Sequence, residues 1–285
     1  MIAAALPTRF ARLVKIEHTV FALPFAYIGA LLAVRGVPSA HDLLWISIAM
    51  IGARSGAMGL NRLVDAEIDA RNPRTAGREL PSGALSQAQV LAFCVLALAV
   101  YVVAAFQLAH VVRWLWPIPL LGFAVYPYLK RWTWLCHLWL GAVDGLAPMG
   151  GWVAVTGHLP WEAWALDGAV AFWVAGFDLF YSLFDREIDL QQGLHSISTR
   201  FGVAGAFRGA RLFHAATIAL LVACGAGLHL GGWYWFGVAA VTALLVYEHL
   251  LVKPADLRRL DAAFFTVNGV IALVLLVFVL LEVGA

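Results

Sequence analysis

Asn61-Arg62-Leu63-Val64-Asp65-Ala66-Glu67-Ile68-Asp69 closes a long apolar run. Asn61, Asp65 and Asp69 fall four residues apart, so on a helix they share one face. The rise across them is roughly 12 Å. A second row follows 120 positions on, at Tyr181, Asp185 and Asp189, with the same spacing and again at the end of an apolar run. Hard oxygen donors in two facing rows suit Mg2+, which takes one or two carboxylates together with the phosphate oxygens of a substrate. The rows therefore point to a membrane enzyme that grips a diphosphate. Asn61 and Tyr181 extend the rows by one turn each. Glu67 and Glu187 sit two residues from a row acid and point elsewhere.

Composition supplies the membrane. The chain is 62% apolar and 13% charged, with a mean hydropathy of +0.84. Soluble domains hold roughly 45–50% apolar residues. The fold class expected is an all-α membrane protein of nine transmembrane helices: 18–35, 43–64, 88–107, 113–129, 137–156, 164–184, 208–229, 232–251 and 262–283. Residues 1–15 read as a short amphipathic surface segment. The first apolar run is read as a span rather than a cleaved signal, because further spans follow. Cys94, Cys136 and Cys224 stand singly in apolar stretches, so neither zinc, haem nor a disulfide is expected.

Sixteen of the nineteen basic residues fall in the N-terminal segment or in the connections after spans 2, 4, 6 and 8. By the positive-inside rule these are cytoplasmic, and nine spans leave the C-terminus outside. Both acid-bearing connections continue through polar, turn-rich segments, 72–83 and 191–202. This repetition suggests one membrane domain over 1–285, with pseudo-repeat halves at about 18–130 and 137–251 and a last helix at 262–283. Such halves bring the two rows to one cytoplasm-facing cavity. An acid alone at a membrane edge is equally well read as a solvated helix end. Two rows of one spacing on one side make that reading poor.

Basic groups complete a diphosphate site. Arg78 and Lys130 are the first candidates for leaving-group oxygens, with Arg74 and Arg131 behind them. Each is otherwise an ordinary positive-inside residue. Arg54 differs, because it lies inside span 2, two turns before Asn61. A buried arginine in a bilayer needs water or a partner. It is a candidate for the carboxylate of an acceptor, or it pairs with an intramembrane acid such as Asp178. Asp144 is either a polar lining or a proton acceptor. His18 is a further candidate for acceptor binding. Trp173, Phe177, Phe180, Tyr181 and Phe184 crowd the second row. At helical spacing they are packing first, and some are candidates to face an allylic cation.

At this point the chain resembles the UbiA superfamily of intramembrane prenyltransferases over nearly its whole length. Asn61, Asp65 and Asp69 match the family's first motif, and Asp185 and Asp189 its second, preceded by Tyr181. Asn72-Pro-Arg-Thr with Pro81-Ser-Gly resembles the loop after the first motif. Tyr126-Pro-Tyr-Leu-Lys-Arg131 resembles the Tyr-Pro-x-x-Lys-Arg segment. Within the family the chain is similar to 4-hydroxybenzoate polyprenyltransferases and to relatives in the futalosine route to menaquinone. Lys15–Pro24 and Gly193–Gly202 look more like the latter. Ser198 stands where proline is expected, and Asp144 where an apolar residue is.

The resemblance implies a UbiA-type bundle and Mg2+-dependent transfer of a polyprenyl group from polyprenyl diphosphate to an aromatic acid, 4-hydroxybenzoate or a dihydroxynaphthoate. It places the chain in ubiquinone or menaquinone biosynthesis in the cell's inner membrane, among membrane lipids, with no nucleic acid and no obligate protein partner. The competing class is an ion- or proton-coupled transporter using Arg54, Asp144 and Asp178. Clustering of the other acids on one membrane side argues against it. A non-catalytic membrane subunit has no need of intact acid rows.

Overall fold

The computed structural model describes residues 6–14, 19–253, 257, 260 and 266–284. The elements run α1 (Leu6–Leu13), α2 (Thr19–Val34), α3 (Ala40–Val64), α4 (Ala66–Arg71), α5 (Gln87–Ala105), α6 (Val112–Leu115), α7 (Pro117–Trp132), α8 (Cys136–Thr156), α9 (Trp161–Tyr181), α10 (Arg186–Gln191), α11 (Ile197–Gly227), α12 (Gly232–Leu251) and α13 (Asn268–Gly284). Among the described residues six segments are long and apolar enough to cross a membrane: α3, α5, α8, α11, α12, and α9 with the turn that follows it to Phe184. Helices α2, α7 and α13 are shorter, at 16, 16 and 17 residues. His18 and Lys15 lie outside the described residues.

Local chemistry sets the helix ends. Ser86 with Gln89, and Ser196 with Thr199, form reciprocal caps at the starts of α5 and α11, each satisfying two otherwise unpaired backbone donors. Pro117 opens α7, where its missing N–H costs nothing. Gly157 closes α8 in the left-handed conformation, φ 70°. The span expected at 208–229 instead begins at Ile197, because the Ser196 cap starts a helix there. Gly202 (φ 69°, ψ −176°) kinks it. Residues 197–202, expected as loop, are thus partly helical.

In a bilayer, helices associate through close packing and internal hydrogen bonds rather than through escape from water. Here α9 packs on α8 and α11, α3 on α5, α2 on α8, and α13 on α12 and α2. Two glycines make the α2–α8 contact possible. A Cβ on Gly29 would sit 1.9 Å from the carbonyl oxygen of Pro148, and one on Gly151 would sit 1.9 Å from that of Ala26. Ile28, Leu32, Leu166, Tyr234, Leu245 and Ile271 are fully buried in the core these helices enclose. The segment before the first span docks on the bundle. Phe10 stacks on Phe93 at 4.9 Å, Leu13 is buried, and Arg9 Nη1 donates to Ala84 O at 2.7 Å.

The acid rows are where the sequence expectation needs correction. Neither row lies on one continuous helix. Helix α3 ends at Val64, and Asp65 (φ −93°, ψ 4°) is both its C-cap and the N-cap of α4. Helix α9 ends at Tyr181. A 3-10 turn spans Ser182–Phe184, and Asp185 (φ −107°, ψ −1°) opens α10. Both aspartates occupy the bridge region, which a short polar side chain tolerates. Back-bonding of Ser182 Oγ to Leu179 O at 2.8 Å helps tighten the second junction. The break is shallow, since the amides of Asp65, Asp69 and Asp189 still donate to carbonyls four residues back, at 2.9, 2.8 and 2.8 Å. The rows keep their direction, and a short second helix turns away after each.

Candidate active site

Both rows line one cavity of about 460 Å3. Asn61, Asp65 and Asp69 from α3 and α4 share its wall with Tyr181, Asp185 and Asp189 from α9 and α10. Arg54, Arg74, Arg78 and Lys130 line it too. Deeper, the lining is apolar and aromatic, including Phe25, Phe123, Trp173 and Phe177. Of the five aromatics named around the second row, Trp173, Phe177 and Tyr181 line the cavity. Phe180 is fully buried, with Phe207 at 5.0 Å and His249 at 5.2 Å between ring centroids.

Cations hold three of the four row acids. Lys130 Nζ donates to Asp65 Oδ2 at 2.6 Å. Arg131 bonds Val64 O at 2.8 Å and reaches Asp65 Oδ1 at 3.5 Å. Arg78 Nη1 lies 2.7 Å from both oxygens of Asp69. Arg74 takes Asp185 bidentately, with Nε to Oδ1 at 2.8 Å and Nη2 to Oδ2, and its Nη1 donates to the Tyr181 hydroxyl at 2.8 Å. Asn72 Nδ2 adds a bond to Asp185 Oδ1 at 2.7 Å, while its own Oδ1 accepts from the Arg74 amide at 2.9 Å. The connection after the first acid row is thus clasped to the second row. The connection after the second row returns the contact through the His195 amide, which donates to Lys130 O at 2.6 Å.

These pairings split the carboxyls electrostatically. Burial pushes Asp185 up, but the bonds from Arg74 and Asn72 outweigh it and leave the group below its ordinary value. Burial raises Asp65 despite the opposing Lys130. Asp189 is raised to about 6, first by burial and then by the charge of Asp185. Among the described residues Asp189 has no hydrogen bond or ion pair through its side chain. Burial lowers Arg74, but Asp185 and Tyr181 more than compensate and raise it.

The donor set fits a hard divalent cation bound with a diphosphate. Four carboxylates and the Asn61 amide face one cavity, and one carboxylate is uncommitted. Among the described residues no three acids, histidines or cysteines already converge as a ready-made metal cage. Phosphate oxygens supply the remaining ligands in sites of this kind.

The deep end holds a second polar group. Arg54, Asp144, Asp178 and His137 all line the cavity. The alternative pairing of Arg54 with Asp178 does not form. Asp178 Oδ2 accepts instead from His137 Nδ1 at 2.7 Å, and Arg54 Nε has no partner among the described residues. The sequence reading passed over four contributors. Arg62 is buried, with its Nε unpartnered among the described residues, Asn72 braces Asp185, Thr75 Oγ1 bonds Asp69 O at 2.9 Å, and His137 pairs with Asp178. Asn72 and Thr75 sit in a segment read only as a cap. A histidine inside an apolar run was the available signal for His137.

Comparison with known proteins agrees with this geometry. The model of the UbiA prenyltransferase family matches residues 22–279. The chain is 31% identical over 248 residues to a 4-hydroxybenzoate octaprenyltransferase of Aliivibrio fischeri, covering 84% of this chain and 83% of that enzyme. Its fold matches the apo structure of a UbiA homolog from Aeropyrum pernix K1 with a TM-score of 0.85 and 34% identity, over 94% of this chain and 98% of that one. It also matches the fold of a UbiA homolog from Archaeoglobus fulgidus bound to GPP and Mg2+, with a TM-score of 0.76 and 17% identity over 97% and 100% of the two chains. The match over nine-tenths of the sequence, on a fold that gathers both acid rows at one cavity, makes the chain a member of the UbiA prenyltransferase family.

Proposed function

We propose that the protein transfers a polyprenyl group from polyprenyl diphosphate to a ring carbon of 4-hydroxybenzoate, in ubiquinone biosynthesis. The observation that carries the reading is the shared cavity. A charged mouth built by both acid rows opens onto an apolar, aromatic interior that holds Arg54, whose Nε has no partner among the described residues. The A. fischeri relative is named for this acceptor. A dihydroxynaphthoate acceptor is the second reading, favoured by the Lys15–Pro24 and Gly193–Gly202 segments.

The roles follow from charge and depth. Arg74, Arg78 and Lys130 receive the diphosphate oxygens as the leaving group takes up charge. Asp65, Asp69, Asp185 and Asp189, with the Asn61 carbonyl, hold Mg2+, which when bound neutralises the diphosphate and stabilises the leaving group. Tyr181 anchors Arg74 at the mouth. Phe177 and Trp173 offer aromatic faces to the cation-like allylic carbon, and the apolar lining keeps out water that would hydrolyse it. Arg54 holds the acceptor carboxylate. The ring carbon ortho to the hydroxyl attacks, and loss of the ring proton restores aromaticity.

The same reading makes residues 1–285 one membrane domain of two pseudo-repeat halves and a last helix. The shorter α2, α7 and α13 join the six span-length segments as spans. The sixteen cytoplasm-biased basic residues support a cytoplasmic N-terminus and cavity mouth, in the cell's inner membrane. The test is to incubate membranes holding the protein with labelled polyprenyl diphosphate, Mg2+, and either 4-hydroxybenzoate or a dihydroxynaphthoate. Prenylated 4-hydroxybenzoate is expected. Product from the naphthoate alone would move the chain to the menaquinone branch, and product from neither would sink the enzyme reading.

A further inference from the structure

The diphosphate machinery leaves one ionisable pair of the cavity unused. Asp178 lies on α9, seven residues before Asp185, and His137 lies on the facing helix α8. Here α8 and α9 approach backbone to backbone. A Cβ on Gly141, one turn from His137, would sit 2.1 Å from the carbonyl oxygen of Ala171. That approach fixes the 2.7 Å bond between His137 Nδ1 and Asp178 Oδ2.

The two side chains are unequally placed. The imidazole is 4% exposed and the carboxylate 15%. Asp178 Oδ1 makes no hydrogen bond among the described residues and is not a sealed atom, whereas His137 Nε2 is buried without a partner. The carboxylate is thus the member with surface to offer, and the imidazole stands behind it. Tyr126 of α7, Arg54 of α3 and Asp144 and Cys136 of α8 complete the ionisable lining of this end. An ion pair inside a membrane is costly and is not needed for packing, since apolar residues of the same volume do as well or better. Ionisable groups in such positions mark substrate or proton paths.

We propose that Asp178 is a further catalytic residue that receives the hydroxyl of the acceptor ring, and that His137 is the positioning residue that orients its carboxylate. The assignment rests on the reading that the acceptor is a phenolic acid. With Arg54 on the acceptor's carboxylate, a free carboxylate oxygen meets the only proton donor the acceptor has left. As the ortho carbon bonds to the allylic carbon and the allylic C–O bond breaks, the hydroxyl proton passes to Asp178. The ring becomes a dienone and the electron pair leaves with pyrophosphate. The dienone then loses its ring proton to the released pyrophosphate, and Asp178 returns its proton to the phenolate oxygen.

The test uses the full-length protein in membranes, with 4-hydroxybenzoate and its 3-fluoro analogue, whose hydroxyl is the more acidic. Removing a general base typically costs about 100-fold or more. D178N is therefore expected to lose about 100-fold in turnover on 4-hydroxybenzoate and clearly less on the fluorinated acceptor, with an unchanged KM for polyprenyl diphosphate. H137Q, which still donates to the carboxylate, is expected to follow the same pattern with a smaller loss, and it carries the test if D178N does not accumulate as folded protein. Equal losses on the two acceptors, or a loss confined to the diphosphate KM, would reduce the pair to a structural tether. Wild-type protein inactive on both acceptors would sink the acceptor reading and this assignment with it. Wild-type activity with equal mutant losses would sink this assignment alone.

Discussion

Arg74 grips Asp185 across 111 positions of sequence, with Nε on one carboxylate oxygen and Nη2 on the other. The contact ties the connection after the first acid row to the second row. It also parks a guanidinium where a diphosphate would compete for it. A bidentate fork is what recognises both carboxylate and phosphate, and a lysine ammonium cannot reproduce it. R74A is therefore expected to raise the KM for polyprenyl diphosphate about tenfold or more, and R74K to recover little of it. The acceptor KM should stay put. Steady-state kinetics with each substrate varied in turn gives the answer, and full recovery in R74K would reduce Arg74 to a point charge.

Asp189 offers the cleanest test of the metal set. Its carboxylate has no bonded partner among the described residues, so D189N leaves no cation stranded. In D69N, by contrast, Arg78 loses its opposite charge and one of its two acceptors at 2.7 Å, and an unpaired buried charge destabilises. D189N should melt with the wild type and still lose transfer by about 100-fold, a loss on the scale of a removed electrostatic stabiliser. Raising Mg2+ should recover part of it. D69N should lose both activity and thermal stability. Near-normal turnover in D189N at ordinary Mg2+ would take Asp189 out of the metal set.

Much of this was legible in the chain. The four-residue spacing of Asn61, Asp65 and Asp69 and of Tyr181, Asp185 and Asp189 placed both rows on one cavity wall, because a shallow break at a bridge-region aspartate hardly turns a helix. The break itself was not legible. Nothing in Val64-Asp65-Ala66 signals a stop, and the junction depends on tertiary bonds from Lys130 and Arg131. Partner choice was equally hidden. Periodicity tells which face a side chain takes, but not which of two intramembrane groups it meets. The alternative of an Arg54–Asp178 pair gives way to His137–Asp178, because the α8–α9 approach at Gly141 is a backbone property of two distant segments. The start of α11 at Ile197 was missed for a local reason, the Ser196–Thr199 cap inside a stretch read as loop.

The α2–α8 contact predicts where the fold is least tolerant. At Gly151 an added methyl would meet the Ala26 carbonyl oxygen at 1.9 Å, and that neighbour is backbone, not a side chain able to swing away. G151A must push the two helices apart, and overpacking of this kind costs about 1–3 kcal/mol. Gly150, next to it, has open space around the same added atom. The expected outcome is a lower melting temperature in detergent for G151A and little change for G150A. Equal melting of the two variants would mean that the contact adjusts freely.

Arg54 gives a test that separates donor from acceptor binding. It lines the cavity with its Nε unpartnered among the described residues, seven residues and two turns before Asn61, and so lies deeper than the acid rows. Asp178 is engaged on His137, Asp65 on Lys130 and Asp69 on Arg78, and Asp144, which lines the same end of the cavity, is the acid whose charge Arg54 faces without a bond among the described residues. A guanidinium held this way in a membrane interior has unspent hydrogen-bonding capacity, and charge-assisted bonds to a carboxylate are the strong kind. R54A is expected to raise the acceptor KM about tenfold or more while the polyprenyl diphosphate KM changes less than about twofold, since one charged hydrogen bond is worth roughly 1.5–3 kcal/mol. Replacing the acceptor carboxylate by an amide in the wild type should reproduce the defect, and the same replacement should cost R54A little more. Loss of diphosphate affinity with an unchanged acceptor KM would move Arg54 to the leaving-group side of the cavity.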